Sequence, residues 1–516
     1  MSTSPAEQPT NVEQTKPAPR VVEDEQDIDK SVYKRGQQAK WARSRKAERG
    51  DRNNKRQRRD GELPWEERKE QRVLDSDGNP LPSEPRRPKK KVACLIGYCG
   101  TGYHGMQLNP PQKTIEGDLF EAFVESGAIS RDNSNDLKKS SFMRAARTDK
   151  GVHAAGNVIS LKMIIEDEDI LEKINSKLPP TIRVWGYERT NKNFDCRKMC
   201  SSRIYEYLMP TFSFLPPKPN SPLARQIKEA NEETPGVTRD DPEGSKWWAD
   251  VLEKLHASGI TDKDIQDAQE ATINKEKNND SDDEPDMLLE EIVRKIKQTE
   301  NQARREYRIS KERLELVNKA MQMYIGHHNF HNFTLGKHFK DASANRYMKE
   351  ITVSEPFVIE GTEWVSIKIH GQSFMLHQIR KMIAMAALVV RTGCPLGRIT
   401  EAFQSSRINI PKAPALGLLL EQPVYEGYNT RLKAFGYNEL TFTPFEKEMN
   451  EFKMKHIYDK IYAEEVKDNT FHGFFGFIDG FNGTPIFNFL TANGIKDSQE
   501  VREVVIPNEK NEGIAE

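Results

Sequence analysis

Between Gly371 and Val390 the chain sets His377, Arg380 and Lys381 against a continuous apolar run, Met382 to Val390. Ser373 is a candidate N-cap, and Gly393 and Pro395 follow the run. Together they predict a buried helix of about five turns. His377, Arg380 and Lys381 fall within one turn and share a face. An unpaired charge in so apolar a helix is severely costly, so Arg380 requires a carboxylate from elsewhere in the chain. The fold must therefore bring two distant segments together.

A second stretch, Arg144 to Lys162, offers a carboxylate. In Arg147-Thr148-Asp149-Lys150-Gly151 the acid stands between two cations at a turn signal, and Asn157 to Met163 then alternates as a half-buried strand. A carboxylate beside fixed positive charge stays ionised at neutral pH and can serve as nucleophile or base. Taken alone, the stretch reads equally well as a charged hairpin turn.

The 516 residues suffice for two or more cores, but 30% are charged and 36% hydrophobic, which predicts substantial unpacked sequence around a compact body. The formal net charge of -1 hides segregation. Ser31 to Asp60 holds twelve Lys or Arg against three acids, and Glu276 to Glu291 holds eight acids against one Lys. The longest apolar run is far short of the roughly 20 residues that span a bilayer, and the acidic first thirty residues lack a signal or transit pattern. No membrane partner is expected. Five cysteines without a secretion signal read as reduced thiols. Cys196 and Cys200 have a spacing a metal could use, so a structural zinc is weighed there without a second pair to complete it.

Residues 1–90 read as a disordered basic region whose Lys/Arg clusters suit nuclear import machinery or RNA. Val92 to Tyr98 is a strand entering a glycine-rich loop at Gly100, Gly102 and Gly105. That spacing does not fit a dinucleotide site, because the next helix starts only near Ile115, capped by Thr114. Ser201 to Pro210 alternates, with Arg203, Tyr205 and Tyr207 on one face. Residues 212–313 read as a charged insertion with a disordered acidic centre and helical edges, in which Trp247 and Trp248 are packing anchors. His327, His328 and His331 form a weak metal signal. Thr443 to Glu446 reads as a capping box opening a C-terminal helical extension over 438–493, with a loose tail at 494–516.

Five of these motifs resemble the TruA family of pseudouridine synthases and its eukaryotic nuclear branch. The carriers are Arg147-Thr148-Asp149-x-Gly151-Val152-His153, the Gly-Thr-x-Tyr-x-Gly-x-Gln loop ending at Gln107, and the Arg-x-Tyr-x-Tyr at Arg203. The Ser373-Phe374 to Arg380 motif and Ala413-Pro414-x-x-Gly417-Leu418-x-Leu420 complete them. Cys99 and Met106 replace the Asp and Trp common in bacterial members, a change in the cleft wall.

The resemblance implies an α/β (α+β) fold. Two RRM-like halves, 91–211 and 314–437, join into one large, mainly antiparallel sheet with a central cleft. It implies that Asp149 is the catalytic residue, that Arg380 pairs with it, and that Tyr205 stacks on the target base. Arg147 attends the RNA backbone or flipped nucleotide, while Tyr103, Gln107, Lys150, His153 and His377 are candidate cleft or RNA contacts. Uridine isomerisation in tRNA, with small nuclear RNA and messenger RNA as further substrates, needs no cofactor and points to the nucleus. A non-catalytic RNA-binding or chaperone protein and a zinc-stabilised RNA binder are the rival readings.

Overall fold

The computed structural model describes residues 86–277, 287–433, 438–481 and 486–495. The basic cluster at Ser31 to Asp60, the acidic centre of the insertion and the end of the tail lie outside them, whereas the basic run Arg86 to Lys91 leads into the first strand. Among the described residues ten strands form one sheet. Nine of them follow in chain order: β1 (Lys90–Tyr98), β2 (Met143–Arg144), β3 (His153–Met163), β4 (Ile182–Arg189), β5 (Ser202–Pro210), β6 (Gly326–Asn329), β7 (Asn345–Val353), β8 (Phe357–Ile359) and β9 (Thr362–Gly371). The tenth, β10 (Leu418–Val424), comes last in the chain and sits in the middle of the sheet. The spatial order is β4-β1-β3-β10-β5-β9-β7-β6, with β2 on β3 and β8 on β9.

Every pairing is antiparallel except β10 with β3, a parallel contact of Leu419 with His153 and Leu420 with Ala154. This short seam joins the two halves. β5 precedes the insertion, yet it lies between β10 and β9, so the sheet divides one strand earlier than a boundary at 211. Its register places Tyr205 between Leu420 and Ile369. Because successive strand residues face opposite sides, Glu206 projects from the other face of the sheet.

The first half carries α1 (Ile115–Glu125), whose N-cap Thr114 accepts from Gly117 N at 3.3 Å, and α2 (Ile170–Lys177). The insertion is more ordered than its polar composition predicts. It forms α3 (Pro222–Glu233), α4 (Pro242–Ala257), α5 (Asp262–Lys277) and α6 (Met287–Glu306), leading into α7 (Lys311–Gln322). Val251, Leu255, Ile260, Ala268, Ile296 and Ala303 give these helices a small core of their own, against which Trp247 and Trp248 pack. Arg313 on α7 ties the insertion to the body, binding Glu243 Oε2 at 3.0 Å and also Asp241.

The apolar helix, α8 (Gln378–Thr392), is buried along its whole length. It starts at Gln378 and not at Ser373, because His377 adopts a left-handed conformation at φ 60° and breaks the helical path. After α9 (Arg398–Glu401) and α10 (Glu426–Lys433), the C-terminal extension begins as a 3-10 turn, Thr443–Phe445. The expected capping box does not form: the Thr443 hydroxyl bonds to that of Thr441 at 2.9 Å.

The extension continues through α11 (Glu446–Phe452), a π-helical turn Lys453–Tyr458, α12 (Asp459–Asp468) and α13 (Thr470–Gly480). Phe452 meets Trp185 of β4 edge to face at 5.4 Å. Within the π turn, Lys453 Nζ reaches Glu206 Oε2 at 3.2 Å and Glu421 Oε2 at 2.8 Å, clamping β5 to β10. The Tyr458 hydroxyl donates to the same Glu206 oxygen at 2.7 Å.

Candidate active site

The loop that carries Asp149 is held from three sides. From the sheet, Tyr98 and Thr148 share a hydroxyl hydrogen bond at 2.8 Å, and Asn157 Nδ2 donates to Ala146 O at 3.1 Å. From the glycine-rich loop, Met106 N donates to Thr148 O at 3.1 Å, and Tyr103 O accepts from Gly151 N at 3.3 Å. The two loops touch so closely that a Cβ on Gly105, which has φ +89°, would lie 2.8 Å from Thr148 O. A side chain there would meet both backbone strain and a clash. From β5, Arg203 Nη2 donates to Ala145 O at 2.8 Å.

Glu116 fastens the outer end of this assembly. Only 1% exposed, it bonds Arg144 at 2.7 Å and accepts from Leu108 N at 2.6 Å. The result is a rigid mount for one carboxylate. Asp149 itself is 37% exposed, with His377 Nδ1 3.5 Å from its Oδ2. The left-handed turn that delays α8 is what points His377 at Asp149 instead of along a helix axis.

Tyr205 faces the same place. Its ring meets Phe374 edge to face at 5.0 Å. Burial pushes the phenol up to about 12; the Arg203 charge pulls it partly back, and the Asp149 carboxylate raises it further. Tyr205 is therefore a neutral phenol throughout the physiological range, able to stack and to donate a hydrogen bond. Arg380, 2% exposed, lies in the first turn of α8, and its Nε donates to Ala413 O. Ala413 begins the segment that leads into β10, so the seam strand and α8 are coupled at this bond. The arrangement sets the Asp149 carboxylate beside the His377 imidazole and within electrostatic reach of the Tyr205 phenol.

The tRNA pseudouridine synthase family model matches residues 320–426. Proteins named tRNA pseudouridine synthase 1 are similar over most of the chain. The one from Candida albicans is 57% identical over 443 residues, covering 81% of this chain and 72% of its own length. The one from Saccharomyces cerevisiae is 54% identical over 495 residues, covering 91% and 89%. The chain belongs to the tRNA pseudouridine synthase family. A third relative, the tRNA pseudouridine(27/28) synthase of Saccharomyces cerevisiae, is 41% identical over 381 residues, covering 73% of this chain and 96% of its own.

The synthase brings Asp149, His377, Tyr205 and Arg203 together, with Arg147 and Lys150 beside Asp149 on its loop. Arg147 and Gln107 are exposed and Lys150 is half-buried. Tyr103 is buried, its hydroxyl donating to Asp118 at 2.6 Å, so it supports the loop and does not face RNA. His153 is a correction of the same kind: wholly buried, it accepts from Gly100 N at 3.1 Å, and burial lowers its pKa to about 4. It is a neutral strut behind the cleft.

The Cys196 thiol is fully buried, and burial pushes it up to about 12; Cys200 Sγ donates to Ser202 O. Among the described residues no three His, Cys, Asp or Glu are grouped to hold a metal ion. Of the clustered histidines, His328 stacks on Phe403 at 4.3 Å and His331 is buried, as packing residues. Glu116 and Asn157 escaped the sequence reading. An acid in the first turn of a helix ordinarily signals only helix-dipole compensation, which masks its second task.

Proposed function

We propose that Asp149 carries out the isomerisation, that Arg380 holds and aims its carboxylate, that Tyr205 stacks on the turned-out base, and that Arg147 follows the RNA backbone or flipped nucleotide. The protein converts uridine in tRNA to pseudouridine. The bond between sugar C1′ and base N1 breaks, the base turns, and C5 joins C1′. C5 loses a proton and N1 gains one, so neither an electron carrier nor an activated donor enters the reaction.

The observation that carries the assignment is the accessible Asp149 carboxylate, mounted on a rigid loop 3.5 Å from His377 and facing Tyr205. Attack on the sugar, attack on the base and proton abstraction from the sugar all demand an ionised carboxylate in that position. Unstacking the target costs a few kcal/mol, and stacking on an aromatic side chain returns about 1–3 kcal/mol. The decisive assay is tritium release from carbon-5-tritiated uridine in a tRNA transcript. Wild type should release tritium and Asp149→Ala should not, with tRNA binding retained by both. Turnover by the variant would remove Asp149 from its role, and binding without release by wild type would favour a non-catalytic RNA-binding protein.

Uridines of the anticodon stem, including those in intron-containing precursors, are the proposed targets. The positions named for the 27/28 relative support this, and mapping pseudouridine in tRNA from cells lacking the protein tests it. The same mapping extends to small nuclear RNA and messenger RNA, proposed on family resemblance. Nuclear residence is proposed from the basic clusters at Ser31 to Asp60 and Arg86 to Lys91; a fusion lacking residues 1–89, which leaves β1 whole, should lose nuclear accumulation.

A further inference from the structure

The loop joining β6 to β7 is rooted at the active site. Thr334 Oγ1 donates to Leu376 O at 2.9 Å, and the next residue, His377, is the one 3.5 Å from Asp149. At the other end of the loop, Tyr347 O accepts from Gln372 N at 3.0 Å. The loop thus borders the segment that delivers His377 and runs outward from it.

Its surface is unusual for a solvated turn in two respects. It holds an aromatic ring in the open while fixing its backbone: Phe339 is 40% exposed, its ring edge on His331 at 5.5 Å and its carbonyl accepting from Asn329 Nδ2 at 2.7 Å. It also concentrates cations that no acid neutralises. Among the described residues the exposed Lys340 and Arg407 and the half-buried Lys337 and Arg346 make no ion pair with a carboxylate, and Arg346 Nη1 donates to Ser343 O and Asn345 O. The acid within the loop, Asp341, spends an oxygen on His338 N at 2.9 Å. Arg407, from beyond α9, joins the patch through Lys337 O at 3.2 Å.

We propose that this surface is the track along which the tRNA strand flanking the target uridine runs, an assignment that rests on the pseudouridine synthase reading. Lys337, Lys340, Arg346 and Arg407 take successive phosphates, and Phe339 takes the face of an unstacked base. A polyanion with exposed aromatic faces is the ligand this pairing of acid-free cations with an open ring fits. A protein partner of matching charge would lack reason to begin at His377. The track ends at Asp149, so a strand held on it delivers its nucleotide to the carboxylate.

The test uses the full chain and a tRNA that the wild type converts. Binding is measured between about 50 and 200 mM salt. Lys337→Ala/Lys340→Ala should weaken binding about tenfold at the upper salt and reduce the slope of log K against log salt by about 1.5 to 2, because each lost phosphate contact removes a released counterion. Phe339→Ala should weaken binding severalfold with no change in slope. A control that loses the same charge elsewhere, Lys254→Ala/Lys319→Ala on the outer faces of α4 and α7, should leave both quantities at the wild-type value. Wild-type affinity and slope in the loop variant, or an equal effect in the control, would overturn the track. Failure of the wild type to convert any tRNA would instead overturn the reading on which it rests.

Discussion

Replacing Lys453 by Met tests whether the C-terminal extension is structurally part of the catalytic sheet. Lys453 is 7% exposed, and its two partners, Glu206 and Glu421, are 4% and 19% exposed. Removing the cation leaves two carboxylates on neighbouring strands with nothing between them, in a site from which water is largely excluded. Breaking a buried pair in this way costs about 3–5 kcal/mol, and we expect about 4 kcal/mol from urea unfolding at pH 7.

The pH dependence follows from the two partners. Burial alone would raise the Glu206 carboxyl, but the Lys453 charge and the Ser366 and Tyr458 hydrogen bonds hold it below the usual carboxylate range. In the wild type that contribution is present at neutral pH and fades as pH falls through the lowered value. In the variant the carboxylates repel and one retains a proton to higher pH, so the deficit should narrow toward pH 5. Neutralising all three positions in Lys453→Met/Glu206→Gln/Glu421→Gln should recover part of the loss. A single-variant cost under about 1 kcal/mol, or a triple variant less stable than the single one, would refute this account. Because Glu206 follows Tyr205 on β5, turnover should fall with stability in the single variant.

Arg380→Ala should cost about 3 kcal/mol, since it opens a cavity and leaves the buried Ala413 carbonyl without its donor, and should lower tritium release sharply. A folded variant that turns over at the wild-type rate would disprove the proposed pairing with Asp149. Burial raises the Glu465 carboxyl to about 8, a shift only partly offset by backbone donors from Phe471 and Thr470. A folded-state pKa above the unfolded one gives stability that is complete below about pH 4.5 and is lost as pH rises through 8. Glu465→Gln should therefore flatten the decline between about pH 4.5 and 8 in thermal melts; an unchanged profile would contradict the assignment.

What the sequence disclosed was local chemistry. Thr114, Gly151 and the alternation of Ser201 to Pro210 each act through neighbours within a few residues, and the structure has them as cap, positive-φ turn and strand. Asp149 was conspicuous because its turn and flanking charges are contiguous. His377 was recognisable as a cleft residue but not as the start of the helix, because a left-handed histidine is set by packing that no local preference announces. The place of β5 depends on partners more than 150 residues downstream, and Lys453 depends on a π turn whose register only the completed sheet dictates. The insertion misled in another way: its helices expose most of their surface and bury only a thin stripe, so composition spoke for the outside.

The central position of β10 carries a consequence for the newly made chain. While residues up to about 410 are being synthesised, β3 and β5 each present an unsatisfied edge where β10 will lie. Open edges of this kind recruit other strands, and this one persists until Val424 has cleared the ribosome. The catalytic centre is thus assembled last and all at once. A chain truncated before Leu418 should keep Asp149, Tyr205 and Arg380 in its sequence and yet emerge inactive and prone to self-association.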